Sequence, residues 1–112
     1  MNDKERKAKI EMIEGTLADH EMDGKVILWG SGDEVYEYAD AILGIAFDCD
    51  CAIVYSRDKL IDCIVRQMTG EDSSEEDKYQ DAVDHYEYNF LRTIPYMPED
   101  KVRPIMVDEV MF

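Results

Sequence analysis

The hydrophobic and polar positions of residues 73–97 follow the period of an α-helix, and this is the strongest pattern in the chain. The apolar stripe of this helix, spaced at three- and four-residue steps, contains Tyr79, Ala82, Val83, Tyr86 and Phe90. Ser73 and Glu76 have the spacing of a capping box at its start. Ile94 should end the helix, because a residue before proline avoids the helical conformation. The pattern predicts an amphipathic helix whose aromatic inner face belongs to the core.

Two further segments have helical patterns. The first runs from Asn2 to about Asp19, with a narrow apolar stripe of Ile10, Ile13 and Leu17. The second follows Ser56, a suitable N-cap, and should end at Thr69-Gly70. Its expected buried stripe is Leu60, Ile61, Ile64, Val65 and Met68.

Strand patterns occupy most of the remaining chain. A short β-rich run covers 25–29, and residues 41–47 and 51–55 read as a hairpin about a turn at 48–50. The pattern of residues 104–107 predicts a last strand, and Pro104 at its start fits a sheet edge or the beginning of a strand. Residues 33–39 fit either a helical turn or an extension of the hairpin strand.

The order of these elements predicts an α+β fold, with a small mostly antiparallel sheet (the hairpin plus edge strands) packed with three helices. At 112 residues the chain should form a single domain over 1–112. Residues 1–24 hold the N-terminal helix, which could be peripheral to that domain.

Charge narrows the range of partners. The chain has a formal net charge of -15, and residues 26–100 carry eighteen acidic side chains against five basic ones. Such a body repels nucleic acid and anionic membrane and favours basic partners, at rates that fall with salt. No apolar run reaches the ~18–20 residues of a bilayer span, and no signal-peptide pattern is present. We therefore expect a cytoplasmic protein with no direct contact to nucleic acid or membrane.

Signatures of catalysis are missing from the sequence. There is no G-x-S-x-G, no H-E-x-x-H and no nucleotide-binding glycine pattern, and the Gly30-Ser31-Gly32 turn lacks the lysine of a phosphate loop. We expect a binding protein rather than an enzyme.

Three cysteines form a candidate metal site. Cys49 and Cys51 flank the hairpin turn, and Cys63 lies off the apolar stripe of its helix. Thiolates bind zinc well, and His20, His85, Asp48 or Asp50 could supply a fourth ligand. A single C-x-C is a weak zinc motif, however, and cysteine is also an ordinary small buried residue. A zinc-stabilised binding domain and three reduced structural thiols are the two alternatives.

The acidic outer face of the 73–97 helix is the candidate partner-binding surface. Its residues are Asp77, Asp81, Asp84 and Glu87, with Glu75 and Glu76 at the start of the helix. Successive carboxylates at 77, 81 and 84 are separated by about 4.5–6 Å of helix rise, which is of the order of phosphate spacing along a strand. Such an array could mimic DNA, although solvated helices carry similar arrays by chance.

The stretch from about Asp40 to Met106 resembles a group of small acidic proteins from phages and prophages of Firmicutes. Those proteins share a hairpin glycine, a Val-Tyr-x-x-x-Lys junction and a closing Tyr-Asn-x-x-Arg-x-x-Pro-Tyr. The matching positions are Ile42-Leu43-Gly44, Val54-Tyr55 with Lys59, Tyr88-Asn89 with Arg92, Pro95-Tyr96, and Pro104-Ile105. The match covers a little over half of the chain, and the cysteines around the hairpin turn depart from the group's pattern.

The resemblance implies no catalytic residues, and Asn89, Arg92 and Tyr96 carry over as motif positions only. Small acidic phage proteins often resemble inhibitors of host defence. Together with the charge, this leads us to expect a type II anti-CRISPR protein or a similar anti-defence inhibitor. It would act in the host cytoplasm by binding a basic groove of a CRISPR nuclease and blocking DNA loading. The alternative is a phage regulatory or structural protein that binds its partner through apolar surface.

Overall fold

The structure, a computed structural model, describes residues 2–30, 32–67 and 75–108. Within these residues the α-helices are α1 (Asp3–Asp19), α2 (Glu34–Glu37), α3 (Arg57–Gln67) and α4 (Glu75–Tyr86). The strands are β1 (Ile42–Ala46), β2 (Ala52–Ser56) and β3 (Ile105–Val107). The predicted α+β fold is confirmed, with one helix more than expected because residues 34–37 form a helical turn.

The three strands form one sheet in the order β1-β2-β3. Strands β1 and β2 are the predicted antiparallel hairpin, with Ile45 opposite Ile53. Strand β3 lies at the other edge of β2, as its proline suggested, but runs parallel to it, with Tyr55 opposite Met106. The longer ladder is antiparallel, and the sheet is mixed because the chain reaches β3 through α3 and α4.

Helices α1 and α3 begin where polar side chains satisfy their first amides. The side chain of Asn2 accepts a hydrogen bond from the backbone amide of Glu5, and the backbone amide of Asn2 donates to the Glu5 carboxylate, which forms a capping box. The Ser56 hydroxyl accepts from the Lys59 amide at 3.3 Å, as the sequence predicted.

Burial follows the predicted helical stripes closely. In α1 the buried residues are Ile10, Ile13 and Leu17, and in α3 they include Leu60, Ile61 and Ile64. The α1 residues belong to the same apolar core as the hairpin residues Ile42, Ile53 and Tyr55. Lys9 also ties α1 to the hairpin, because its Nζ donates to the carbonyls of Ala39 and Ile42, both at 2.7 Å.

The segment 25–29 was predicted as a strand, and this is wrong. It makes a single isolated bridge, in which Val26 pairs with Val102. The chain then turns away at Gly30, which has a φ of +103°. A Cβ at this position would lie 2.8 Å from backbone atoms of Glu34 and Val35, so α2 approaches Gly30 as closely as only glycine permits.

The predicted 73–97 helix is not one regular helix. After α4 the chain forms a π-helical turn over Glu87–Leu91, and then a 3-10 turn over Ile94–Tyr96. The amide of Arg92 donates to the carbonyl of Glu87 at 3.2 Å, a five-residue step. Periodicity alone did not reveal this wider turn.

Some predicted features lie outside the described residues. These are the capping box at Ser73, Met68 at the end of the α3 stripe and the Thr69-Gly70 stop. In the part of the chain that the structure describes, none of the helices has the length and hydropathy of a transmembrane span.

Candidate functional site

The outer face of α4 presents the predicted carboxylates to solvent. Asp77, Asp81 and Asp84 are exposed and fall within about 60° of one another around the helix axis. Asp84 accepts a hydrogen bond from the Gln80 amide at 3.3 Å. The three aspartates form an anionic row of about 10 Å along the helix axis. We call these three residues the acidic row.

Two further predicted residues lie beside this row. Glu76 and Glu87 are exposed, at the start of α4 and in the π turn respectively. The side chain of Glu75 lies outside what the structure describes.

The inner face of the same helix is only partly the aromatic core that we predicted. Ala82, Tyr86 and Phe90 are buried, whereas Tyr79 keeps 45% of its surface exposed. Two aromatic residues of the closing motif lie at the surface, since Tyr88 is 59% and Tyr96 89% exposed. Phe90 lies between these two tyrosines in the sequence and is buried in the core.

Next to the acidic row lies an open cavity of about 550 Å³ that joins distant parts of the chain. Three aromatic residues line it. Trp29 stacks on Phe90 with ring centroids 4.4 Å apart, and Tyr38 meets the Phe90 ring edge-on at 5.5 Å. Hydrogen bonding fixes Trp29 in place, since its amide donates to the hydroxyl of Tyr55 at 2.7 Å.

Polar side chains complete the wall of this cavity. Glu34 and Glu37 come from α2, Gln67 from the end of α3, and His85 and Asn89 from α4 and the π turn. The Tyr38 hydroxyl donates to Gln67 at 3.2 Å, and the Gln67 amide donates to the Glu37 carboxylate. We call this space the aromatic cavity.

A charged network joins α1 to α3, with Asp40 between an arginine of each helix. Asp40 accepts two hydrogen bonds from Arg6, both at 3.1 Å, and one from Arg66 at 2.8 Å. Burial would raise the pKa of Asp40, but these two guanidinium groups outweigh it and hold that pKa below its usual value. The negative charge of Asp40 is therefore paired with two arginine side chains within the fold.

The three cysteines do not form the tentative zinc site. Cys49 is exposed in the hairpin turn, while Cys51 and Cys63 are buried. Cys63 lies 3.1 Å from a guanidinium nitrogen of Arg66, and burial raises the pKa of its thiol. No group of three or more Cys, His, Asp or Glu side chains among the described residues is arranged to hold a metal ion. Cys63 is a core residue, contrary to the interpretation that it lay on the helix flank.

Asn89 and Arg92 have local roles in the π turn. The Asn89 amide donates to the carbonyl of His85 at 3.2 Å, which the wider turn leaves available. The guanidinium of Arg92 lies 4.3 Å from the ring centroid of Tyr88, a cation–π contact. The side chain of Asn89 is exposed.

Comparisons of the chain with protein-family models, curated proteins and solved structures found no match. Functional inference therefore depends on the geometry of this chain. The two features that bear on it are the acidic row and the aromatic cavity beside it.

The acidic row was predicted from helical period alone, whereas the aromatic cavity was missed. Its residues come from positions 29, 34–38, 67 and 85–90, and no local pattern links these positions. The sequence feature that could have pointed to the cavity is Trp29, the single tryptophan of the chain, which lies next to a glycine turn.

Proposed function

We propose that this protein is a phage or prophage anti-defence inhibitor that binds a CRISPR-associated nuclease through the acidic row and blocks DNA loading. The supporting observation is that Asp77, Asp81 and Asp84 share one exposed face of α4, while its opposite face is anchored in the core by Ala82 and Tyr86. The carboxylates are therefore presented on the outer face of a helix that the core supports.

Electrostatics gives this proposal its mechanism. A groove that binds DNA is lined with lysine and arginine, which release counterions when they pair with phosphates. Carboxylates spaced at about 4.5 and 6 Å along α4 can pair with the same cations. The inhibitor would occupy the groove stoichiometrically and would not itself bind nucleic acid, since its own net charge is -15. Its site of action would be the cytoplasm of the host cell.

A charge-reversal experiment tests the proposal. We expect Asp77→Lys, Asp81→Lys and Asp84→Lys together to abolish inhibition of DNA cleavage by a type II CRISPR nuclease. In the wild-type protein, binding to the nuclease should weaken steeply as salt rises from 50 to 300 mM, in the manner of a multivalent charged contact.

A matched control separates the acidic row from net charge. Glu11→Lys, Glu14→Lys and Asp19→Lys change three exposed residues of α1 and give the same net charge as the α4 variant. This control should still inhibit. If the α4 variant inhibits as well as the wild-type protein, the acidic row has no part in the mechanism.

A second candidate function has its own observation. Tyr88, Leu91 and Tyr96 are large apolar residues with 59%, 41% and 89% exposure. Exposed aromatic side chains are common at protein interfaces, so this surface fits a phage regulatory or structural protein that binds its partner without DNA mimicry. Capture of a partner whose binding is insensitive to salt, and is lost on Tyr96→Ala, would favour this function.

A further inference from the structure

The aromatic cavity is continuous with the acidic row. Asp81 belongs to the row, and His85 lies one helical turn further along the same side of α4 and lines the cavity. A basic surface that rests on the row therefore comes close to the cavity. The cavity brings the aromatic residues Trp29, Tyr38 and Phe90 together with carboxylates from a second helix.

The carboxylates of the cavity come from α2. Glu34 and Glu37 are both exposed and three residues apart, so they lie on the same side of this single helical turn. The close approach of α2 to Gly30 sets these carboxylates next to Trp29, which directly precedes that glycine. The cavity thus combines two negative charges with an aromatic lining.

The carboxylate rim favours a cation. Trp29, Tyr38 and Phe90 are buried, so each ring contributes only a narrow surface to the cavity, and the carboxylates supply most of the attraction. A guanidinium is planar, stacks on rings and has five N–H donors, so one group can meet both carboxylates, whereas an ammonium is a compact and strongly hydrated charge. The volume of about 550 Å³ lies within the range of small-ligand pockets.

We propose that the aromatic cavity receives an arginine side chain of the basic partner, with its guanidinium between Glu34 and Glu37 and close to Trp29. This inference rests on the proposed function, since it assigns one specific contact within the charged interface. The acidic row supplies long-range attraction, and the aromatic cavity supplies the orientation of the bound surface.

Trp29 makes the test direct, because it is the single tryptophan and lines the cavity. The probe is an acetylated tetra-arginine peptide, titrated at 50 mM salt while tryptophan fluorescence is recorded. A tetra-citrulline peptide has the same shape without the charge and should cause no saturable change. A tetralysine peptide should bind more weakly than tetra-arginine.

Two variant pairs locate the binding site. Glu34→Gln with Glu37→Gln should raise the Kd for tetra-arginine about tenfold, as expected for the loss of two partly exposed ion pairs. Glu11→Gln with Glu14→Gln makes the same change in net charge on α1 and should raise it less than about twofold. If the double variant has a lower melting temperature than the wild-type protein, the single variant Glu34→Gln, at an exposed position, replaces it in the titration.

Three results would overturn the inference. They are equal weakening by both variant pairs, equal binding of the citrulline peptide, and binding of tetralysine as tight as that of tetra-arginine. The first result means diffuse attraction to a negative surface, and the third removes the preference for a guanidinium. None of these assays contains a nuclease, so the cavity can fail while the charge-reversal experiment on α4 succeeds, or the reverse.

Discussion

The hydrogen bond between Trp29 and Tyr55 connects the cavity to the sheet, and its removal has a calculable effect. The Trp29 amide donates to the Tyr55 hydroxyl at 2.7 Å, and Tyr55 is 1% exposed. Tyr55→Phe keeps the ring and removes only the acceptor. A buried amide left without its acceptor costs about 1–3 kcal/mol, so we expect this loss in the free energy of unfolding at pH 7.

The same hydroxyl gives the effect a pH dependence of known sign. Burial raises the pKa of Tyr55 to about 12, although the Trp29 amide acts in the opposite direction. In the unfolded chain a tyrosine ionises near pH 10, so above that pH the unfolded state releases a proton that the folded state retains. This contribution to stability is complete below about pH 10 and is lost as the pH rises towards 12. At pH 11 the loss is about 1.4 kcal/mol.

Urea unfolding followed by far-UV circular dichroism measures both quantities. The difference between wild type and Tyr55→Phe should be about 1–3 kcal/mol at pH 7 and should shrink by about 1.4 kcal/mol at pH 11, because phenylalanine cannot ionise. Other tyrosines ionise in both proteins and cancel in the difference. A difference that stays constant from pH 7 to 11 would refute the buried, neutral hydroxyl.

Two further predictions concern the charged network around Asp40 and the glycine turn. Asp40→Asn should lower stability by about 1–3 kcal/mol at pH 7, since it weakens the charged hydrogen bonds from Arg6 and Arg66. Because the pKa of Asp40 is lowered in the fold, the wild-type advantage should fade in thermal melts as the pH drops below about 4, and equal melting at pH 7 would contradict this role. Gly30→Ala should destabilise by about 1–3 kcal/mol or more in guanidinium unfolding, because of its positive φ and the nearby backbone of α2. Gly44→Ala, where an added Cβ meets nothing within 4 Å, should change stability by less than about 1 kcal/mol, and equal effects at both glycines would count against the close approach.

Local pattern predicted the parts of the fold that local energetics determines. The stripes at Ile10, Ile13 and Leu17 and the hairpin about residues 48–50 were confirmed, because period and turn composition reflect which face is buried. The parallel pairing of β3 with β2 joins residues about fifty positions apart. Nothing near Ile105 in the sequence specifies that neighbour or its direction.

The candidate site also has one part that local sequence predicted and one part that it did not. The acidic row lies on one helix, so its spacing was readable from Asp77 onwards. Cys63 was misplaced because a small residue at a helix flank is buried only if a neighbour covers it, and that neighbour comes from another element. The aromatic cavity was unpredictable for the same reason, since each wall belongs to a different segment.

The π turn at Glu87–Leu91 has a consequence for how this helix can change over evolution. A π turn is equivalent to one extra residue inserted into an α-helix, with its spare carbonyls satisfied here by side chains such as Asn89 and Thr93. A single-residue deletion in this turn would restore regular winding and rotate Phe90 relative to the core by about 100°. Substitutions here are therefore tolerable where changes of length are not, and relatives should preserve the residue count between Tyr86 and Pro95 more strictly than the residues themselves.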